Sequence, residues 1–350
     1  MPDSEINSIP VLSGMPLEEL AEYISPLPHF RAVQICKWIA SGASSFDAMD
    51  NLPLPLRKEL GERFTLRPDA AVQKHSGDDG TVKLTLQFAD GARIEAVLLS
   101  DSSGRRTACL STQAGCPAGC VFCKTGAAFL RNLTSAEITE QFLQLKALAD
   151  EDAASVSNIV VMGMGEPLLN LTELRRALAV ITGTKGLNFS RRRITVSTCG
   201  IARGINELAD KGPAVRLALS LTTADESLRR RLMPITAQEP LAAVKKALRH
   251  FQDSGGGRIT LEAVLLGGIN TRREDAAGMA QFARGLDAAV NLIPWNPVKG
   301  LEFEGKALRQ PAAAEIESFT QQLKALGLNV TRRYRRGRGV MGACGQLGSL

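Results

Sequence analysis

Apolar positions in the first 65 residues recur at helical spacing in three short runs, PLEELAEYI, AVQICKWIAS and LPLRKELGERF. Gly and Pro punctuate them, so short separate helices are expected. The period then changes. TVKLTLQF alternates apolar and polar, Asp90-Gly91 marks a turn, and RIEAVLL returns, which is the pattern of a β-hairpin. These elements predict an accessory domain over residues 1–100.

From about residue 106 short apolar runs alternate with amphipathic stretches. RTACLST, NIVVMG, RITVSTC, VRLALSL, ITLEAVLL and VNLIPW read as strands. Helices are expected from Thr134 to Asp150, where Thr134 and Glu137 form a capping box, from Pro240 to Asp253, and from Ala312 to Leu326. Strands alternating with helices predict parallel βαβ units and an α/β fold. Six units are fewer than a closed eight-stranded barrel needs. An open partial (β/α)6 barrel and a doubly wound sheet both remain, over residues 101–327. Residues 328–350 read as one more strand followed by a Gly-rich tail.

Composition adds limits. Of 350 residues, 44% are hydrophobic and 22% charged, ordinary for a globular protein. No apolar run approaches the roughly 18 residues of a membrane span. The start, MPDSEINSIP, has acids where a signal peptide carries Lys or Arg. A cytoplasmic location is therefore expected, where clustered cysteines point to metal binding or catalysis and not to structural disulfides. The net charge is +6. Arg332, Arg333, Arg335, Arg336 and Arg338 crowd together around Tyr334, either as a solvated face or as a grip on phosphates.

Three of seven cysteines fall in the segment Cys116-Pro-Ala-Gly-Cys120-Val-Phe-Cys123. Thiolates are soft ligands that suit iron–sulfur clusters, zinc or copper(I). A structural zinc site wants four ligands, and here Cys109 or Cys344 would have to complete it. Three thiolates on a four-iron cluster would leave one iron open to substrate. On the strand map, Gly163-Met164-Gly165-Glu166-Pro167, Ser197, Ser220 and Asn296 all fall at strand ends. In a βα fold these share the carboxyl edge, where ligands bind. A Gly-rich strand end is expected to let backbone approach a ligand. Cys344, in a Gly-rich tail, reads as an accessible nucleophile or as an inert thiol. Cys36 and Cys199 lie in apolar contexts and are expected in the core. Glu95, among apolar neighbours on the returning hairpin strand, reads as a general base or as an ordinary solvent-facing residue.

The C-x3-C-x2-C spacing, with Phe122 before the third cysteine, resembles the radical S-adenosylmethionine (SAM) superfamily. SNIVVMGMGEPLLNL, NLIPWNP, the terminal ACGQL, and FRAVQICKWI followed by SFDAMDNLP are similar to the RlmN/Cfr family of radical SAM RNA methyltransferases, over essentially the whole chain. The resemblance implies a [4Fe-4S] cluster on Cys116, Cys120 and Cys123, and two SAM molecules per turnover. It implies a SAM site of Gly165, Glu166, Ser197, Ser220, Leu221, Thr222 and Asn296. Cys344 would accept a methyl group and pass it to an adenine carbon. Cys109 would release the product through a transient Cys109–Cys344 disulfide, and Glu95 would accept a proton. Residues 1–100 would bind RNA. The RlmN branch methylates C2 of an adenosine in 23S rRNA and in some tRNA anticodon loops; the Cfr branch methylates C8. An electron donor such as flavodoxin is implied. A non-catalytic RNA-binding iron–sulfur protein is the other reading, but it needs none of Glu95, Cys109 and Cys344. Two places depart from the family pattern. Thr222 stands where a His is usual, and Arg336 to Val340 lacks the usual acid.

Overall fold

The alternating runs after residue 106 fold as parallel strands in chain order. The structure is a computed structural model that describes residues 9–101, 103–332, 337 and 339–348. Three helices come first, α1 (Leu17–Tyr23), α2 (His29–Ala40) and α3 (Leu54–Arg63). Three strands follow, β1 (Ala70–Ser76), β2 (Val82–Phe88) and β3 (Arg93–Ser100). After β4 (Arg106–Cys109) comes a small hairpin, β5 (Gln113–Gly115) with β6 (Phe129–Asn132), which holds the cysteine loop between its strands. The repeating part is then α4 (Ser135–Glu151), β7 (Val156–Val161), α5 (Leu171–Thr182), β8 (Ile194–Thr198), α6 (Ala202–Lys211) and β9 (Arg216–Ser220). It continues with α7 (Glu226–Leu232), α8 (Leu241–Asp253), β10 (Ile259–Leu265), α9 (Arg273–Ala283) and β11 (Ala288–Pro294). A second small hairpin, β12 (Glu302–Phe303) with β13 (Lys306–Ala307), precedes α10 (Ala313–Ala325) and β14 (Val330–Arg332).

The main sheet has the order β1-β2-β3-β4-β7-β8-β9-β10-β11-β14. From β4 to β14 every pairing is parallel and the order never reverses. A doubly wound sheet reverses its order at a switch point. The open partial barrel is therefore the architecture, with β4, β7, β8, β9, β10 and β11 as its six strands and β14 as a short seventh. The capping box that starts α4 is present: Glu137 N–H donates to Thr134 Oγ1 at 3.2 Å and Thr134 N–H to Glu137 Oε2 at 2.8 Å.

The hairpin expected near residue 81 is three-stranded, and its β3 pairs antiparallel with β4 from Val97↔Cys109 to Ser100↔Arg106. Leu84, Leu86, Ile94 and Leu98 share one core with the barrel strands. A second core, around Leu12, Leu20, Ile35, Met49 and Leu60, belongs to the helices before residue 67, with Leu143 of α4 as its contact to the barrel side. Arg67 ties the two together through paired bonds to Glu140, Nε to Oε2 at 2.7 Å and Nη2 to Oε1 at 2.6 Å. The sheet thus runs through residue 100, and packing divides near residue 67. β1 was not legible in sequence because it is an edge strand with nearly every side chain exposed, so its pattern lacks an apolar face.

Candidate active site

The three cysteines sit on the loop that β5 and β6 hold open. Cys116 N–H donates to Ala128 O at 2.8 Å, Cys123 N–H to Cys120 O at 3.1 Å, and Trp295 Nε1 to Phe122 O at 2.8 Å. Their side chains line one cavity at the carboxyl edge of the sheet. Burial pushes the Cys116 thiol up to about 12 and raises Cys120 and Cys123 as well. Such thiols stay neutral in water-poor surroundings, and a bound cation is what would make thiolates of them. Three thiols lining one shared cavity are a soft ligand set of the kind that holds an iron–sulfur cluster.

Strand ends form the facing wall. Gly165, Glu166, Ser197, Ser220 and Asn296 all line the same cavity. Glu166 is buried, which raises its carboxyl, and it accepts Cys199 N–H at 2.7 Å and Leu168 N–H at 3.1 Å. Its own N–H donates to Gln113 Oε1 at 2.8 Å. Glu166 thus braces the loop after β7 against the end of β8. Ser197 and Ser220 bring their hydroxyls to 3.3 Å. Asn296 donates to Cys344 O at 3.1 Å, while its Oδ1 is buried with no partner. A buried acceptor left open beside two hydroxyls suits a ligand rich in polar groups. Leu221 and Thr222 are buried behind this wall and are not among its lining residues. Thr222 is left-handed at φ +58°, uncommon for a β-branched residue, and its N–H donates to Glu262 O at 3.0 Å.

A second cleft adjoins this cavity beside the C-terminal tail. It is lined by Leu99, Thr107, Cys109, Met162, Pro294, Asn296, Gly342 and Cys344. Met162, Ile293, Asn296 and Cys344 line both spaces. The tail is held by single hydrogen bonds from many directions. Lys124 N–H donates to Gly345 O at 2.9 Å, Thr125 Oγ1 to Leu347 O at 2.7 Å, and Gln346 Nε2 to Pro297 O at 3.1 Å. Gly337 N–H donates to Asp79 Oδ2 at 2.8 Å and Gly348 N–H to Glu95 Oε2 at 2.7 Å.

Glu95 is buried, not solvent-facing, and its Oε1 accepts from Lys83 Nζ at 2.8 Å. It lines neither of the two clefts that share Cys344. In this conformation Glu95 anchors the tail four residues beyond Cys344. No disulfide joins any of the seven cysteines among the described residues.

Three further expectations meet the structure differently. The strand-end glycines line the cavity and also make room for protein: a Cβ on Gly163 would meet Ser111 Oγ at 2.5 Å, and one on Gly165 would meet Gln113 Cβ at 2.7 Å. That loop is zipped onto residues 110–113, with Gly163 N–H to Leu110 O at 3.0 Å and Thr112 N–H to Met164 O at 2.8 Å. Cys199 is buried as expected, yet it lines the cavity of the three cysteines. Of the arginine run, Arg332 is an exposed residue of β14, while Arg333, Arg335, Arg336 and Arg338 lie outside the described residues. Sequence reasoning missed Glu262 of β10. It is buried in the cavity wall, where it accepts from Ser197 Oγ at 3.5 Å and Asn291 Nδ2 at 3.4 Å. An acid centred in the apolar run ITLEAVLL was the available signal.

This site lies in a radical SAM fold: residues 110–280 match the model of the Radical SAM superfamily. Residues 11–66 match a second model, the ribosomal RNA large subunit methyltransferase N-terminal domain. A protein of Treponema denticola described as a probable dual-specificity RNA methyltransferase RlmN is 49% identical over 339 residues, 97% of this chain and 95% of that one. A protein of the same description from Thermus thermophilus is 41% identical over 95% of this chain and 92% of its own length. The crystal structure of a radical SAM methyltransferase from Sphaerobacter thermophilus superposes with a TM-score of 0.90 at 38% identity, covering 97% of this chain and 99% of that one. The chain belongs to the RlmN family of radical SAM RNA methyltransferases. No helix among the described residues is long and apolar enough to cross a membrane.

Proposed function

We propose that this enzyme methylates C2 of an adenosine in 23S rRNA, and in tRNA, by way of a methyl group carried on Cys344. The observation that carries this reading is the position of Cys344, on the wall of both the cysteine cavity and the cleft that contains Cys109. A residue so placed can be loaded on one side and discharged on the other. The RlmN description of the relatives favours C2 over C8, and their dual specificity supports a second RNA substrate.

Cys116, Cys120 and Cys123 would hold the [4Fe-4S] cluster, and Gly165, Glu166, Ser197, Ser220 and Asn296 would face SAM, with Leu221 and Thr222 shaping the wall behind. When bound, the cluster and two SAM molecules per turnover supply the methyl group and the radical chemistry that an unactivated adenine carbon requires. The protein's part is to hold and hand over. The Cys344 sulfur takes the methyl carbon, which, once that radical chemistry has removed one of its hydrogens, bonds to C2 of the base as the C2 proton leaves. Cys109, as thiolate, then attacks the Cys344 sulfur, the electron pair of the carbon–sulfur bond passes into the base, the freed carbon takes up a proton to become the methyl group, and a Cys109–Cys344 disulfide remains to be reduced by a thiol. Glu95 is the acceptor for the proton lost from the base, which requires the Gly348 contact to open. Residues 1–100 and the arginines from 332 to 338 would grip RNA phosphates while the base is flipped out. A single-electron donor of the flavodoxin type and the reducing cytoplasm complete the requirements.

Digesting the reacted RNA to nucleosides and identifying the product by chromatography and mass spectrometry tests the reading. 2-Methyladenosine is expected. 8-Methyladenosine would overturn the position of attack, and unmodified RNA with a loaded cluster would overturn the activity.

A further inference from the structure

Arg229 is a buried cation that forms no ion pair among the described residues. It lies on α7, whose start is capped by Asp225, and it is 1% exposed. Arg229, Arg230 and Arg231 are consecutive in the sequence. Arg230 pairs with Glu226 at 2.9 Å, and Arg231 with Glu304. Arg229 turns inward instead. Its Nη2 donates to Cys199 O at 2.6 Å and to Ser220 O at 3.4 Å, and its Nε to Leu221 O at 3.3 Å. Its Nη1 is buried with no partner.

Those carbonyls close the ends of β8 and β9, the strands that carry Ser197 and Ser220. Stapling them needs hydrogen-bond donors but not a charge. A buried charge without a counter-ion is costly, and folded proteins rarely leave one so. Two carboxylates act on Arg229 at longer range, Glu226 and Glu239. Both are engaged elsewhere: Glu226 with Arg230 and with Leu241 N–H at 2.9 Å, Glu239 with Ala202 N–H at 3.1 Å. Cys199, whose carbonyl Arg229 holds, lines the cavity together with Cys116, Cys120 and Cys123, the cysteines assigned to the cluster. Cys199 and Cys120 also act on Arg229 electrostatically.

We propose that Arg229 is the counter-cation of the thiolate-ligated cluster, a positioning residue that offsets the negative charge brought by Cys116, Cys120 and Cys123. The inference rests on the cluster assignment above. One-electron reduction adds a further negative charge to that group. A cation fixed beside the cavity wall at Cys199, in a region water does not screen, stabilises the reduced form more than the oxidised one. Arg229 therefore sets the cluster's reduction potential higher than the same site would have without it.

The test compares Arg229→Gln, which keeps hydrogen-bond donors and removes the charge, with Arg229→Lys, which keeps the charge and loses the forked geometry. Both are loaded with iron and sulfide without air and titrated with dithionite under EPR. The Gln variant is expected to reduce only at more negative potential, while the Lys variant stays near wild type. Melting adds a readout independent of turnover: cluster loading should raise the Tm of wild type more than that of the Gln variant, and the apo Gln variant should melt no lower than apo wild type. Equal potentials in all three proteins, or equal shifts for Gln and Lys, would show a staple only and overturn the proposal. A Gln variant that does not fold, beside a Lys variant that does, would overturn it too, because the charge would then serve the apo fold. If neither folds, Glu239→Gln decides. It leaves Arg229 in place and removes a nearby anion, so a less negative potential is expected, and an unchanged one contradicts the proposal. Cluster content by iron analysis separates these results from failure of the cluster assignment, which would leave wild type itself without iron.

Discussion

The cavity wall and the tail meet around Cys344 but are built by different means. The wall is made of strand ends. Ser197, Ser220 and Glu262 stand on neighbouring parallel strands whose backbone bonds fix their spacing, and Glu166 and Arg229 tie the ends together. The tail has no such frame. The described tail residues 337 and 339–348 are held by single bonds to Asp79, Glu95, Lys124, Thr125, Asn296 and Pro297. Each such bond is worth about 0.5–1.5 kcal/mol, so each can break at modest cost. On the proposed function, the strand-framed part would be the loading site and the singly bonded part the carrier, as a group that must visit two clefts requires.

The comparison can be broken at several points. Cys344→Ser should reduce RNA methylation to background while iron content stays at the wild-type level; residual methylation would remove Cys344 from the pathway. Gly165→Ala strikes the wall. Its φ of +106° and the Cβ contact with Gln113 leave no room for a side chain. A loss of about 2–4 kcal/mol in unfolding free energy is expected, measured by denaturant titration. Glu262→Gln keeps the shape of the wall and removes its charge. A drop of roughly 10- to 100-fold in kcat/KM for SAM is expected, in line with a charged hydrogen bond of about 1.5–3 kcal/mol. A Gln variant equal to wild type would reduce Glu262 to packing.

Asp79→Ala tests the tail. It removes the acceptor for Gly337 N–H, and the methylation rate should fall about fivefold, as one neutral-strength bond of about 1 kcal/mol implies, with the melting temperature almost unmoved. Asp79→Asn, which retains an acceptor oxygen, should recover most of the rate. The smallest effect lies far from the site. Burial pushes Glu315 up, but bonds from Thr271, Gly268 and Arg309 outweigh it and hold the carboxyl at about 2, against 4.5 unperturbed. A depressed carboxyl contributes stability above its unfolded value that is lost as pH falls. Acid melting curves of wild type and Glu315→Gln should therefore converge between pH 4.5 and about 2. Parallel curves there would discount this contribution.

Legibility in the sequence followed the same division. The cysteine loop, the strand ends and Cys344 were readable because each is a local string with its own chemistry. The six parallel strands were readable because buried strands are apolar throughout. Glu262 was missed although it shows the pattern that singled out Glu95, an acid inside an apolar strand. Arg229 was hidden inside a charge run, since nothing local says which of three successive arginines turns inward. Asp79 sits in a polar turn, and its contact with Gly337 spans most of the chain. Such pairings are set by tertiary packing, which no short window contains.

The most direct test of the account uses protein prepared without air and incubated with SAM and RNA, comparing wild type with Cys109→Ala by mass spectrometry of the peptide that contains Cys344. The account predicts an RNA adduct on Cys344 that accumulates in the variant, because the carbon–carbon bond forms and the sulfur is not released. A variant that loads its cluster yet shows neither an S-methyl group nor an adduct on Cys344 would contradict the carrier role on which the account stands.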